Sequence, residues 1–288
     1  MTSLPLRLSL LLVAVLFVAD PSIAAADSAM EARRSMLDRP GSLVIAGGSG
    51  LGDEIFGAFR ELAGFGPASV VVIPTASDRA DREDYDQTLV RQWRARGFEW
   101  VTVLHTRNRE VADTEAFASA IARADAVWFG GGQQSRLAQS YLGTKVEAEL
   151  HKLLERGGVI GGSSAGAAIQ SSVMITGGNP EARVGEGIDL LRGCVVDQHF
   201  SERNRQPRLR GVIEARPGLL GIGIDERTAL VVRVRDGRVV GEVVGRAGVH
   251  LMMADGSGEL WEESFAPGDR LDVVSGERIE AAATAADQ

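Results

Sequence analysis

The residues best suited to do chemistry lie in Gly161-Gly162-Ser163-Ser164-Ala165-Gly166-Ala167, after an apolar run and before a stretch with helical spacing. Residues 162–166 satisfy G-x-S-x-G, in which small neighbours permit a sharp strand-to-helix turn that pushes the central serine hydroxyl into the open. Ser164 holds that central position. The amide of Ala165, at the helix start, would then face a developing oxyanion. The bland alternative is a glycine-rich anion loop, but the run has no P-loop lysine and is not G-x-G-x-x-G.

A serine nucleophile needs a base, and the base needs a group to orient it. Four histidines are available. His105 ends an apolar run, His151 lies among charged residues and His250 sits inside an apolar strand, so each reads as structural or surface. His199 instead follows the run Cys194–Val196, and strand ends are where α/β sheets place their sites. Glu226 comes just after Leu220–Ile224 and could accept the imidazole N–H. The chain order Ser, His, Glu differs from the Ser, acid, His order of α/β-hydrolases.

Two further features surround this set. Gly130-Gly131-Gly132-Gln133-Gln134 follows an apolar run, and its glycines let the amides of Gly131 and Gly132 approach a substrate oxygen. Arg203, Arg205, Arg208 and Arg210 lie just downstream of His199. They form either a solvated helix face or a carboxylate-recognising series, since planar guanidinium groups pair bidentately with carboxylates.

The elements that must position these residues are short apolar runs alternating with helical stretches. The runs Leu43–Ala46, Val70–Ile73, Val101–Leu104, Ala126–Phe129 and Val159–Gly161 are continuously apolar, as in parallel strands buried on both faces. Between them, residues 53–63, 84–95, 114–124 and 135–156 carry apolar positions at helical spacing. This order predicts an α/β fold, a doubly wound, mostly parallel sheet flanked by helices. After residue 220, strands separated by turn signals such as Asp236-Gly237 predict an antiparallel extension near the C-terminus.

Residues 1–26 read as a signal peptide: Arg7, then the apolar stretch from Leu8 to Val18, then small residues through Ala26. The stretch is too short for a membrane span, which needs about 20 residues. Secretion to the periplasm or outside the cell is expected, with no stable membrane anchor. Residues 27–288 read as a single domain, with an Ala-rich tail from Arg278 to Gln288 expected to fray.

The net charge of −8 makes nucleic acid an improbable partner. Cys194 is the single cysteine, which excludes an internal disulfide and argues for a small core residue. No metal-ligand cluster is evident, so neither metal nor cofactor is expected.

Together these stretches resemble the cyanophycinase family of serine peptidases, relatives of aspartyl dipeptidases built on a class I glutamine-amidotransferase-like fold. The matched stretches span roughly Leu43 to Val232. The most specific is D-Q-H-F-x-x-R-x-R-x-x-R-L, present as Asp197-Gln198-His199-Phe200 with Arg203, Arg205 and Arg208-Leu209. Gln133 stands where the family often has Asp, and Ser163 where Thr is common.

The resemblance implies nucleophile Ser164, base His199 and orienting acid Glu226. It also implies substrate contacts from Gln134, Asp197, Gln198, Arg203, Arg205 and Arg208. The substrate it implies is cyanophycin, a poly-aspartate carrying arginine on each β-carboxyl, cleaved to β-Asp-Arg. Dimerisation is a further family expectation. The alternatives are an aspartyl or isoaspartyl dipeptidase of the same superfamily, and a non-catalytic protein that binds acidic peptides.

Overall fold

A computed structural model describes residues 21–64, 66–255 and 257–280. Most of the expected leader, residues 1–20, and the tail beyond residue 280 lie outside the described residues. The chain begins with α1 (Pro21–Arg34), β1 (Ser42–Ala46), α2 (Asp53–Leu62), β2 (Ser69–Ile73), α3 (Tyr85–Ala95) and β3 (Trp100–Val103). It continues through α4 (Arg109–Ala112), α5 (Glu115–Ala122), β4 (Ala126–Phe129), α6 (Gln134–Tyr141), α7 (Lys145–Glu155) and β5 (Val159–Ser163). Next come α8 (Ala165–Ala168), β6 (Ser171–Gly177), β7 (Arg183–Glu186), β8 (Leu191–Gln198) and α9 (Gln206–Glu214). The last strands are β9 (Leu220–Ile224), β10 (Thr228–Arg235), β11 (Arg238–Gly245), β12 (Val249–Ala254), β13 (Leu260–Phe265) and β14 (Arg270–Asp272).

Two sheets result. The first has eight strands in the order β14-β11-β10-β1-β5-β4-β2-β3. Its β1, β5, β4, β2 and β3 run parallel, whereas β10 joins β1 antiparallel and carries β11 and β14 beyond it. This is the mostly parallel sheet with an antiparallel extension that the run pattern predicts. The β10–β11 hairpin turns at Asp236-Gly237, where both residues have positive φ, 51° and 72°, as a type I′ turn requires.

The second sheet, β13-β12-β9-β8-β6-β7, was not expected as a separate layer. The post-220 strands therefore divide, with β10 and β11 extending the first sheet and β9 and β12 completing the second.

One large core runs between the sheets, joining Ile45, Ile160, Ala165, Val196, Ile224 and Leu230. On the other face of the first sheet, Val44, Val70 and Trp128 pack against Ile55 and Phe59 of α2 and Trp93 of α3. A third cluster sits beneath α9, where Leu209, Val212 and Ile213 meet Val195 and Met252.

The helices follow local signals: Asn108 caps α4 by accepting from the Glu110 amide at 2.8 Å, and Thr114 caps α5 through Phe117. Arg33 of α1, fully buried, donates to the carbonyls of Val274, Gly193 and Gly218, fastening that helix to the body.

Three expectations need correction. The helix read over 135–156 is two helices, because Gly143 takes a left-handed φ of 67° between α6 and α7. The third run is not buried on both faces. It forms the edge strand β3, whose Trp100 is 61% exposed. Arg278, assigned to the fraying tail, bridges to Leu271 and forms ion pairs with Glu263 and Asp269.

Candidate active site

The site is built around the carboxyl end of β1. Beyond Ala46 the chain runs Gly47-Gly48-Ser49-Gly50, and its carbonyls collect three distant segments by backbone hydrogen bonds. Ser164 N donates to Ala46 O at 2.9 Å, His199 N to Gly47 O at 3.0 Å and Arg227 N to Gly48 O at 2.9 Å. Parallel pairing of β1 with β5 sets Ala46 opposite Ser163, which fixes where the turn after β5 begins.

Ser164 follows directly with φ 54° and ψ −111°. Positive φ is uncommon for any residue other than glycine, and such strain costs about 1–3 kcal/mol. It persists because the surroundings leave no alternative. A Cβ at Gly162 would stand 2.2 Å from Gly166 O, and one at Gly166 would stand 2.2 Å from Phe129 O. Here the elbow's glycines are steric requirements.

His199 also has positive φ, 51°. Its imidazole reaches both expected partners: Nε2 is 2.8 Å from Ser164 Oγ and Nδ1 is 2.7 Å from Glu226 Oε1. The carboxylate fixes the tautomer, so Nδ1–H donates to Glu226 and Nε2 is the acceptor facing the Ser164 hydroxyl. Glu226 is held in turn, since its backbone N donates to both oxygens of Glu202 at 3.1 Å.

Burial pushes the His199 pKa below the ordinary histidine range, against the opposing hydrogen bond from Glu226 and with help from the Arg203 charge. The shift favours the neutral imidazole. The hydrogen bond with His199, joined by one with Ser49, lowers the Glu226 pKa.

The glycine turn after β4 borders this trio. A Cβ at Gly131 would stand 3.6 Å from Ser164 Cβ. Gln133 N donates to Ala76 O at 2.9 Å and Gly130 N to Ile73 O at 3.0 Å, pinning both ends of the turn. The amides of Gly131, Gly132 and Ala165 have no acceptor among the described residues. Gln134 Nε2 donates to Ile175 O at 2.7 Å, tying the turn to β6.

The arginine series is brought close but serves mixed ends. Asp197 is completely buried, and Arg208 is 4% exposed. Arg208 grips Asp197 with two guanidinium nitrogens, Nε at 2.6 Å, while its Nη1 donates to Gly178 O. Arg205 adds a contact to Asp197 at 3.2 Å and another to Gln198 O. Asp197 and Arg208, both expected among the substrate contacts, are thus buried and paired with each other. Gln198 is buried, and its Oε1 has no partner among the described residues. Arg203 is exposed and without a carboxylate partner among them, while Arg210 pairs with Glu262.

The other histidines have packing partners. His105 bridges Thr75 and Asp81, His250 bridges Asp225 and Ser264 while stacking on Phe200, and burial lowers the pKa of His151. Burial pushes the Cys194 thiol up to about 12, as befits an inert core residue. Sequence reasoning missed Gly47, Gly48 and Ser49. Their signal was a Gly-Gly-Ser-Gly run directly after a buried strand.

Residues 43–240 match peptidase family S51. Among curated proteins, the cyanophycinase of Trichormus variabilis is 32% identical over 234 residues, covering 77% of this chain and 76% of its own. The cyanophycinase of Synechococcus elongatus is 34% identical over 209 residues, covering 70% and 63%. A peptidase structure from an acI-B1 Actinobacterium superposes with a TM-score of 0.65 at 24% identity, over 81% of this chain and 97% of that one, and shares the fold. The chain is a serine-type peptidase belonging to family S51.

Proposed function

We propose that the protein hydrolyses cyanophycin to β-Asp-Arg dipeptides through an acyl-enzyme formed on Ser164. The observation that carries this reading is the position of His199, within hydrogen-bond reach of Ser164 on one nitrogen and Glu226 on the other. Ser164 Oγ attacks the substrate amide carbonyl as His199 Nε2 takes its proton, and Glu226 stabilises the imidazolium. The free amides of Gly131, Gly132 and Ala165 are suited to hold the oxyanion. His199 then protonates the leaving amine, and water releases the acyl group by the reverse roles.

The substrate assignment is supported by the likeness to cyanophycinases and by the D-Q-H-F-x-x-R-x-R-x-x-R-L stretch that carries it. In this reading Arg203, Gln198 and Gln134 border the substrate, while Asp197, Arg205 and Arg208 form the buried network that holds the turn after His199. Export rests on the leader over residues 1–26. No helix among the described residues is long and apolar enough to cross a membrane.

The test is product analysis of the protein incubated with insoluble cyanophycin, beside isoaspartyl dipeptides and Ser164→Ala. Release of β-Asp-Arg by the wild type alone is expected. Cleavage of dipeptides with untouched polymer would transfer the assignment to an isoaspartyl dipeptidase.

A further inference from the structure

Asp197 occupies Arg205 and Arg208, which leaves exposed Arg203 as that series' counter-charge near His199; a second cation lines a cavity beside the glycine turn. A cavity of about 150 Å³ opens against Gly130 and Gly131, and Gly131 abuts Ser164. Its apolar walls are the rings of Phe56, Trp93 and Trp128, with centroids 5.4–5.8 Å apart. The volume falls well below the ~300–1,000 Å³ of a whole-ligand site, so it suits one side chain.

The polar groups lining this cavity are Ser77, Tyr85, Gln92 and Arg96, and no Asp or Glu is among the lining residues. All four side chains can donate hydrogen bonds. Ser77 Oγ accepts from Arg79 N at 3.1 Å, which leaves its proton free to donate.

Arg96 lies over the Phe56 ring at 4.0 Å, and its Nη1 donates to Gln92 O at 3.1 Å. Its other guanidinium nitrogens have no acceptor among the described residues, and no carboxylate comes within ion-pair distance. Burial also holds the guanidinium pKa below its usual value, the mark of a partly dehydrated cation. A substrate guanidinium would be repelled by Arg96, on which Asp53 acts only from beyond ion-pair distance, and would find the Phe56 face already covered. A carboxylate would meet the Arg96 cation and the donor groups of Ser77, Tyr85 and Gln92.

We propose that this cavity is a carboxylate subsite, with Arg96 as the counter-charge for a free carboxylate on a substrate residue adjoining the amide held at Ser164. The subsite rests on the assignment of Ser164 as nucleophile, and it adds a specificity-determining residue from α3 and its C-terminal end. Arg96 acts by binding and leaves the chemistry to Ser164, so its loss should appear in KM more than in kcat.

The experiment uses two short β-aspartyl-arginine peptides, identical except that one carries free carboxylates beside the scissile bond and the other carboxamides. The wild type should favour the acid at least about tenfold in kcat/KM. Arg96→Gln should abolish that preference, and Arg96→Lys should restore part of it, with melting temperatures reporting that both variants fold. An undiminished preference in Arg96→Gln would overturn the proposal. The same peptides are titrated into Ser164→Ala, with and without Arg96→Gln, so that binding is read without turnover. If the wild type cleaves neither peptide, the cyanophycin reading falls. The subsite would still be supported by Arg96-dependent binding of the acid, and refuted by equal binding of both peptides.

Discussion

Gly48 forms the floor beneath the His199 imidazole. A Cβ at residue 48 would stand 2.5 Å from Cε1 and 2.7 Å from Nε2, and Gly48 itself has φ +116°. Gly48→Ala should therefore displace the ring that links Ser164 to Glu226. A displacement of about 1 Å can cost on the order of 10²-fold in rate. Steady-state kinetics should show kcat falling by about that factor; wild-type kcat in a folded variant would mean that the ring tolerates the shift.

The strain at Ser164 separates stability from activity. Ser164→Gly and Ser164→Ala both lose the hydroxyl and its bond to His199, so both should be inactive. Glycine alone relieves the positive φ of 54°. Ser164→Gly should therefore unfold at a higher temperature than Ser164→Ala, with an advantage of about 1 kcal/mol after glycine's greater unfolded-state entropy is counted. Calorimetry in which the two variants melt together would argue against stored strain.

As the proposed base, His199 should set the acid limb of the pH profile. Burial and Arg203 both lower its pKa below the ordinary 6.5, and the base is active when neutral. Activity should persist below pH 6.5 and fall as pH drops through the lowered value. Arg203→Gln removes a repelling positive charge, so the imidazole protonates more readily and the limb should move to higher pH. A profile of kcat/KM against pH for the two proteins decides it, and a shift in the opposite direction would contradict the assignment of His199 as base.

The Asp197–Arg208 pair should matter first for folding. Both partners are buried and joined by two hydrogen bonds; removing Arg208 leaves buried Asp197 with Arg205 alone at 3.2 Å, so the cost should fall below the about 3–5 kcal/mol of a buried charge left wholly unpaired. Arg208→Ala should lower the denaturant midpoint substantially. If its stability matched the wild type while KM rose, Arg208 would instead be acting on substrate.

Much of this arrangement was legible because it follows from local rules. The continuous apolar runs specify parallel strands, and G-x-S-x-G specifies the elbow at Ser164. Strand ends single out His199 and Glu226. What escaped was set by packing at a distance. The second sheet sets β6 between β7 and β8 and continues through β9 to β12 and β13, and burial along β6 and β7 follows no regular alternation that residue types could reveal. A positive φ at His199 has no signature in its residue type. Arg205 and Arg208 look like solvated charge until the fold shows Asp197 beneath them, and Arg96 belongs to no motif at all.

The carbonyls at the end of β1 have a consequence for how activity emerges as the chain folds. Ala46, Gly47 and Gly48 receive their partners from residues 164, 199 and 227, so the site exists only after several long loops have closed. Closing long loops is slow compared with forming local helices. A nascent chain therefore holds no partial catalyst. Hydrolytic competence would arrive as one of the last events of folding, behind the recovery of helical signal.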